Sequence, residues 1–156
     1  MNKFYKYSNN KNAFAVETDG KSIFSIKLIP CSSIKYSNDK PKNVIELFKQ
    51  LDEYFSNKRT KFDIETILIG TEFQLDVWNA LLTIPYGETI SYSELAKRIG
   101  RPKAVRAVGG ALNKNPIPII FPCQRVIGKN GSLTGFGGGL SLKNQLLEIE
   151  KPSLLK

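Results

Sequence analysis

Ser91-Tyr92-Ser93-Glu94-Leu95-Ala96-Lys97-Arg98-Ile99-Gly100-Arg101-Pro102-Lys103-Ala104-Val105-Arg106-Ala107-Val108-Gly109-Gly110-Ala111-Leu112 is the stretch on which the fold turns. Ser91 suits a helix N-cap, and Glu94, three residues on, has the capping-box spacing from which it would reach back. Leu95 and Ile99 then point inward, and Gly100 stops the helix. Pro102 suits the first turn of a second helix, where its missing N–H costs nothing, and that helix runs to about Leu112. Two short helices joined by a tight, glycine-containing turn form a helix-turn-helix, a pattern that many unrelated helical pairs share. The second helix is unusually bare on one face, through Ala104, Ala107, Gly109, Gly110 and Ala111. Such a face admits another backbone closely, whether DNA or a neighbouring helix.

Toward the C-terminus, residues 113–121 read as extended, with Pro116 and Pro118 excluding a helix and Ile117, Ile119, Ile120 and Phe121 burying the segment. Cys123 follows at once. Residues 125–127 and 132–136 flank Lys129-Asn130-Gly131, a hairpin signal. Gly137-Gly138-Gly139 reads as a flexible loop without the spacing of a phosphate loop, and residues 140–150 as a final amphipathic helix. Toward the N-terminus, Thr71 can cap a helix to about Ile84, buried through Phe73, Val77, Trp78, Leu81 and Leu82, and Pro85-Tyr86-Gly87 ends it. Before Gly70 lies a different unit. Asp19-Gly20 joins strand-like runs at 12–17 and 22–29, a helical pattern covers 43–55 through Val44, Phe48, Leu51 and Phe55, and one or two more strands fit between Lys61 and Ile69. The expected class is α+β: an N-terminal domain over 1–69 with antiparallel strands, and a mostly helical domain containing the helix-turn-helix over 70–156.

The chain has two cysteines, Cys31 and Cys123, and no histidine. That inventory excludes a Cys/His zinc site and a Ser-His-Asp triad within one chain. A Cys31–Cys123 disulfide is arithmetically open but disfavoured in a reducing cytosol. No run of about 18 apolar residues would span a membrane, and residues 1–6 lack a signal-peptide core, so a cytoplasmic protein is expected. The net charge of +9 suggests a polyanionic partner. Its distribution says more: residues 95–147 contain no Asp or Glu but carry Lys97, Arg98, Arg101, Lys103, Arg106, Lys114, Arg125, Lys129 and Lys143. A one-signed segment of this kind is the footprint of phosphate contacts, unless it is a solvated surface with a chance bias.

A cysteine at the end of a buried strand is most often a small core residue. Its neighbours point elsewhere. Pro122-Cys123-Gln124-Arg125-Val126 resembles the Pro-Cys-His-Arg-Val signature of the O6-alkylguanine-DNA alkyltransferases. Ile90-Ser91-Tyr92, Arg106-Ala107-Val108-Gly109-Gly110-Ala111, Asn115-Pro116 and the series Lys143, Leu146, Leu147, Glu150 resemble the same family, in order and at its spacing. The resemblance is close from Gly70 to about Lys151 and extends to the N-terminal unit only in general plan. It implies a DNA repair protein that acts once, moving an alkyl group from guanine O6 irreversibly onto Cys123 with no cofactor and no metal. It implies a monomer acting on double-stranded DNA containing O6-alkylguanine, with the base flipped out of the stack. By resemblance Arg106 fills the space the base leaves, and Tyr92 packs on the flipped nucleotide and offers its phenol hydrogen. Asn115 braces the turn that holds Cys123, and residues 135–139, with Val126, Gly137 and Gly138 among the lining, form the pocket. Tyr92, Ser93, Arg101, Lys103, Arg106 and Lys129 are the implied DNA contacts.

One departure stands out. Where the family has a histidine that takes the thiol proton through water, oriented by the glutamate matching Glu150, this chain has Gln124. Glutamine cannot accept that proton. It can donate a hydrogen bond to a thiolate, Glu150 can receive the proton through water, and positive potential around Arg125 favours the thiolate. Two other readings stay open: a non-catalytic sensor of alkylated guanine that recruits other factors, and a helix-turn-helix regulator with a structural cysteine.

Overall fold

The computed structural model describes residues 2–30, 39–128 and 140–151. Cys31, Lys129, Gly137 and Gly138, with the 129–131 hairpin and the 135–139 pocket wall, lie outside the described residues. The chain divides into two compact units, Met1–Leu68 and Ile69–Lys156. Among the described residues no helix is long and apolar enough to cross a membrane.

The first unit is an antiparallel sheet of β1 (Lys3–Ser8), β2 (Ala13–Thr18) and β3 (Ile23–Ile29), in that order, with helix α1 (Lys42–Phe55). β1 was not expected, although Tyr5 and Tyr7 alternate with Lys6 and are both buried. Asp19 Oδ1 accepts from the backbone of Lys21 and Ser22 at 2.9 and 2.8 Å, and Gly20 takes φ +97°. That closes the expected turn. α1 buries Val44, Leu47, Leu51 and Tyr54. Phe48 and Phe55, expected in the buried stripe, are half-buried and lie with their rings against Tyr7 and Phe14 of the sheet. The strands expected between Lys61 and Ile69 are absent. A single bridge, Thr66 to Ile23, is formed there, because the segment shares only one pair of backbone bonds with β3, from the Ile23 amide to the Glu65 carbonyl and from the Ile67 amide to the Ile23 carbonyl.

The second unit holds α2 (Glu72–Leu81), β4 (Ile90–Ser91), α3 (Tyr92–Arg98), α4 (Val105–Asn113), β5 (Val126–Ile127) and α5 (Leu140–Glu150). Thr71 caps α2, and Gln74 reciprocates onto the Thr71 N–H in a complete capping box. α2 stops at Leu81, three residues early, because the next amides bond three residues back rather than four. Leu82 is consequently exposed. Ser91 caps α3 as expected, accepting from the Glu94 amide at 3.1 Å, but the Glu94 carboxylate accepts forward from Arg98 Nε at 3.2 Å. Gly100 at φ +75° ends α3. The amides of Gly100 and Arg101 return to the carbonyls of Lys97 and Ala96, the paired bonds of a Schellman ending. Pro102 falls in the following turn rather than in α4, which begins only at Val105. Trp78 Nε1 ties α2 to α4 by donating to the Ala111 carbonyl at 2.8 Å.

Residues 114–121 do not form the extended segment expected. They fold into a tight bridge, Pro118 to Phe121, around Ile119, a β-branched residue at φ +75°. That conformation stores about 1–3 kcal/mol of strain. Ile119 is buried there, as are Ile117 and Phe121. β5 pairs in parallel with β4, Ile90 against Val126 and Ser91 against Ile127.

Candidate active site

Cys123 opens a single 3-10 turn, Cys123–Arg125, immediately before β5. Asn115 holds the approach. Its Nδ2 donates to the Phe121 carbonyl at 2.8 Å, and its Oδ1 accepts from the Ile117 amide at 3.0 Å. The Cys123 amide bonds back to that same Phe121 carbonyl at 2.8 Å. The thiol is only 4% exposed. Because β4 and β5 are paired, the segment after Cys123 lies beside Ser91, the N-cap of α3, which Tyr92 begins.

The residues after the thiol are committed elsewhere. Gln124 Nε2 donates to Glu150 Oε2 at 2.8 Å, so one of its two amide hydrogens is committed to the carboxylate. Its Oε1 is buried without a hydrogen-bond partner among the described residues. Arg125 Nε donates to Glu150 Oε1 at 2.7 Å and its Nη1 to the Ile84 carbonyl at 2.7 Å, while the Tyr86 ring covers the guanidinium at 5.7 Å. One expectation therefore changes: the positive charge of Arg125 is neutralised by Glu150 rather than offered to the thiol.

The cation that faces the thiol is Lys143, which the sequence had shown as one of nine basic residues and in the family-like series with Leu146, Leu147 and Glu150, without a role at the thiol. Its side chain is completely buried. Nζ donates to the Val126 carbonyl at 2.6 Å and lies 5.9 Å from the centroid of the Tyr92 ring. Burial pushes the Cys123 thiol up to about 11, against the opposing pull of an Asn115 hydrogen bond and the Lys143 charge. Burial likewise brings Lys143 down to about 8, with the nearby sulfur opposing. A signal for Lys143 existed: with Leu146, Leu147 and Glu150 it falls on one helical stripe, so a lysine there is directed inward.

The predicted DNA contacts divide. Lys103 and Arg106 are exposed, as are Ala107 and Gly110 of α4, whereas Ala111 is buried and Gly109 faces Tyr92, which a Cβ would meet at 4.0 Å. The small residues thus do not share one side: part serves packing, and part leaves Arg106 on an open face. Arg101 is exposed but held over the Phe73 ring, 4.0 Å from Asp76, and Ser93 is half-buried. Lys97 and Lys114 add exposed positive charge. Arg125 and Lys143, counted in the basic segment, are interior residues. Among the described residues no group of three or more His, Cys, Asp or Glu side chains could hold a metal ion.

A family model described as "6-O-methylguanine DNA methyltransferase, DNA binding domain" matches residues 72–152. The methylated-DNA–protein-cysteine methyltransferase of Mycobacterium leprae is 59% identical over 110 residues, 70% of this chain and 67% of that protein. The Mycobacterium tuberculosis protein of that name is 61% identical over 102 residues, and the match spans 62% of its length. The crystal structure of Mycobacterium tuberculosis O6-methylguanine methyltransferase superposes with a TM-score of 0.87 at 42% identity, covering 97% of this chain and 94% of that one. Mycobacterium tuberculosis OGT in complex with DNA superposes at 0.84 and 41% identity, covering 98% and 99%.

Proposed function

Because the chain belongs to the O6-methylguanine-DNA methyltransferase family, we propose that it repairs O6-alkylated guanine in double-stranded DNA, moving the alkyl group irreversibly to Cys123 once per molecule. The observation that carries this is one buried thiol acted on by Lys143, whose ammonium lies by the Tyr92 ring, in the same unit as a helix whose open face bears Arg106 with Ala107 and Gly110. A guanine within the stack cannot reach a thiol that is 4% exposed, so the nucleotide must leave the duplex, at a cost of a few kcal/mol that is smaller for a badly paired base. Arg106 suits the gap it leaves, since a guanidinium both stacks and donates hydrogen bonds. Tyr92 packs on the flipped base. Lys97, Lys103 and Lys114 are placed to meet phosphates, which position the duplex without reading its sequence. We place the protein in the cytoplasm as a monomer, with residues 70–156 as the DNA-binding and alkyl-accepting domain.

The test is mass spectrometry of the intact protein after incubation with a duplex containing O6-methylguanine. A gain of one methyl group, mapped to Cys123 and lost in Cys123→Ser, is expected. A second reading has one observation behind it: Gln124 cannot serve as a base, which suits a sensor that binds the lesion without reacting. Tight lesion binding with no mass gain would establish that reading instead.

A further inference from the structure

Gln124, Glu150 and Lys143 are the candidates for the thiol proton, and their present commitments decide which can take it. Gln124 has no basic site, and its amide nitrogen donates to Glu150. Glu150 receives Gln124 on one oxygen and the Arg125 guanidinium on the other, so its charge is already matched. Lys143 remains. Its Nζ is fixed by the Val126 carbonyl, three residues beyond Cys123, and its charge and that of the sulfur act on each other directly. Of the other titratable groups, Tyr92 of α3 faces the lysine, while Arg125 and Glu150 face each other.

Resting on the repair function above, we propose that Lys143 accepts the proton of the Cys123 thiol, the task the family gives to the histidine after the cysteine, and that the attacking species is a thiolate–ammonium pair. The S–H bond breaks and its proton joins the lone pair of the neutral amine. The sulfur electron pair then forms the bond to the alkyl carbon, and the carbon–O6 bond breaks with its electrons going to guanine. Guanine takes up the proton that Lys143 holds, leaving a thioether, neutral guanine and the amine. Burial is what makes the lysine usable. In water an ammonium keeps its proton until about pH 10.4, whereas here burial brings it down to about 8. The two groups titrate as a coupled pair, and the transfer-competent state is the one from which a single proton has been lost.

The experiment is single-turnover transfer from a duplex carrying O6-methylguanine between pH of about 6 and 9.5, for wild type, Lys143→Met and Lys143→Arg. The wild-type rate should climb and then level with a midpoint near 8. Lys143→Met should slow transfer at least about tenfold near neutrality and move the midpoint up by more than about one unit, because the thiol is left to its burial. Lys143→Arg keeps a positive charge but gives no base, so its rate should keep rising where the wild type levels. Capture of Cys123 by iodoacetamide, mapped by mass spectrometry over the same pH range without DNA, should repeat these differences. If the wild type accepts no methyl from DNA, the repair function fails while the iodoacetamide profiles still test the lysine. A flat wild-type profile, or a Lys143→Arg profile that overlays the wild type, overturns the proposal. So does a Lys143→Met protein, folded by thermal melting, that keeps the wild-type midpoint.

Discussion

Glu150→Gln tests whether charge holds the reactive turn in place. In the wild type the Arg125–Glu150 pair is closed at 2.7 Å, with the two side chains 10% and 1% exposed, so water screens it little. The substitution leaves the guanidinium buried, with the Ile84 carbonyl still accepting from Nη1 but no counter-charge. It also sets an amide where a carboxylate accepted from both Arg125 and Gln124. Breaking a buried pair from one side costs about 3–5 kcal/mol. For a chain of this size that lowers the melting temperature by on the order of 10 °C. Removing both charges together, Arg125→Met with Glu150→Leu, should recover most of the loss, because the desolvation penalty disappears with the charges. Urea unfolding of wild type, Arg125→Met, Glu150→Leu and the double variant gives the coupling directly. A Glu150→Gln protein within about 1 kcal/mol of wild type, or a double variant as unstable as the single, would refute the reasoning.

Three further outcomes are expected. Arg106→Ala should slow repair of duplex DNA far more than reaction with the free alkylated base, measured as single-turnover rates, since Arg106 acts on flipping; equal losses on both would contradict this. Gly100→Ala should destabilise by about 1–3 kcal/mol in urea unfolding, because a Cβ at φ +75° is strained even though open space surrounds it; an unchanged midpoint would show that the turn re-forms. Gln124→His should raise the transfer rate near neutral pH and flatten its rise with pH, because imidazole gives the thiol a second base; an unchanged profile would mean that residue 124 does not face the proton path.

What could be read from the sequence was set by how far each signal reaches along the chain. The caps at Thr71 and Ser91 and the stop at Gly100 were legible because a cap acts over three or four residues. The helix ends that slipped, Leu81 and Val105, depend on how the following turn packs. β1 escaped because Tyr5 and Tyr7 look amphipathic in sequence, and Tyr7 is interior only once α1 sets Phe48 and Phe55 against it. Cys123 was legible through its neighbours, but the use made of them was not. The Arg125–Glu150 pair and the approach of Lys143 to the thiol join residues far apart in sequence, and no local rule brings them together. The basic segment was also partly misleading, since two of its cations balance interior groups and do not face a polyanion.

The parallel pairing of β4 with β5 also sets an order of events for a newly made chain. Ile90 and Val126 are separated by the entire α3–turn–α4 segment, so their pairing must close a long loop, and such closures come late in folding. The last helix carries both Lys143 and Glu150, so the sulfur gains its surroundings only after residue 150 has been synthesised and α5 has docked. A ribosome-bound or clipped chain that already displays Cys123 therefore carries an ordinary thiol, and competence to react arrives in one cooperative step with the completed unit.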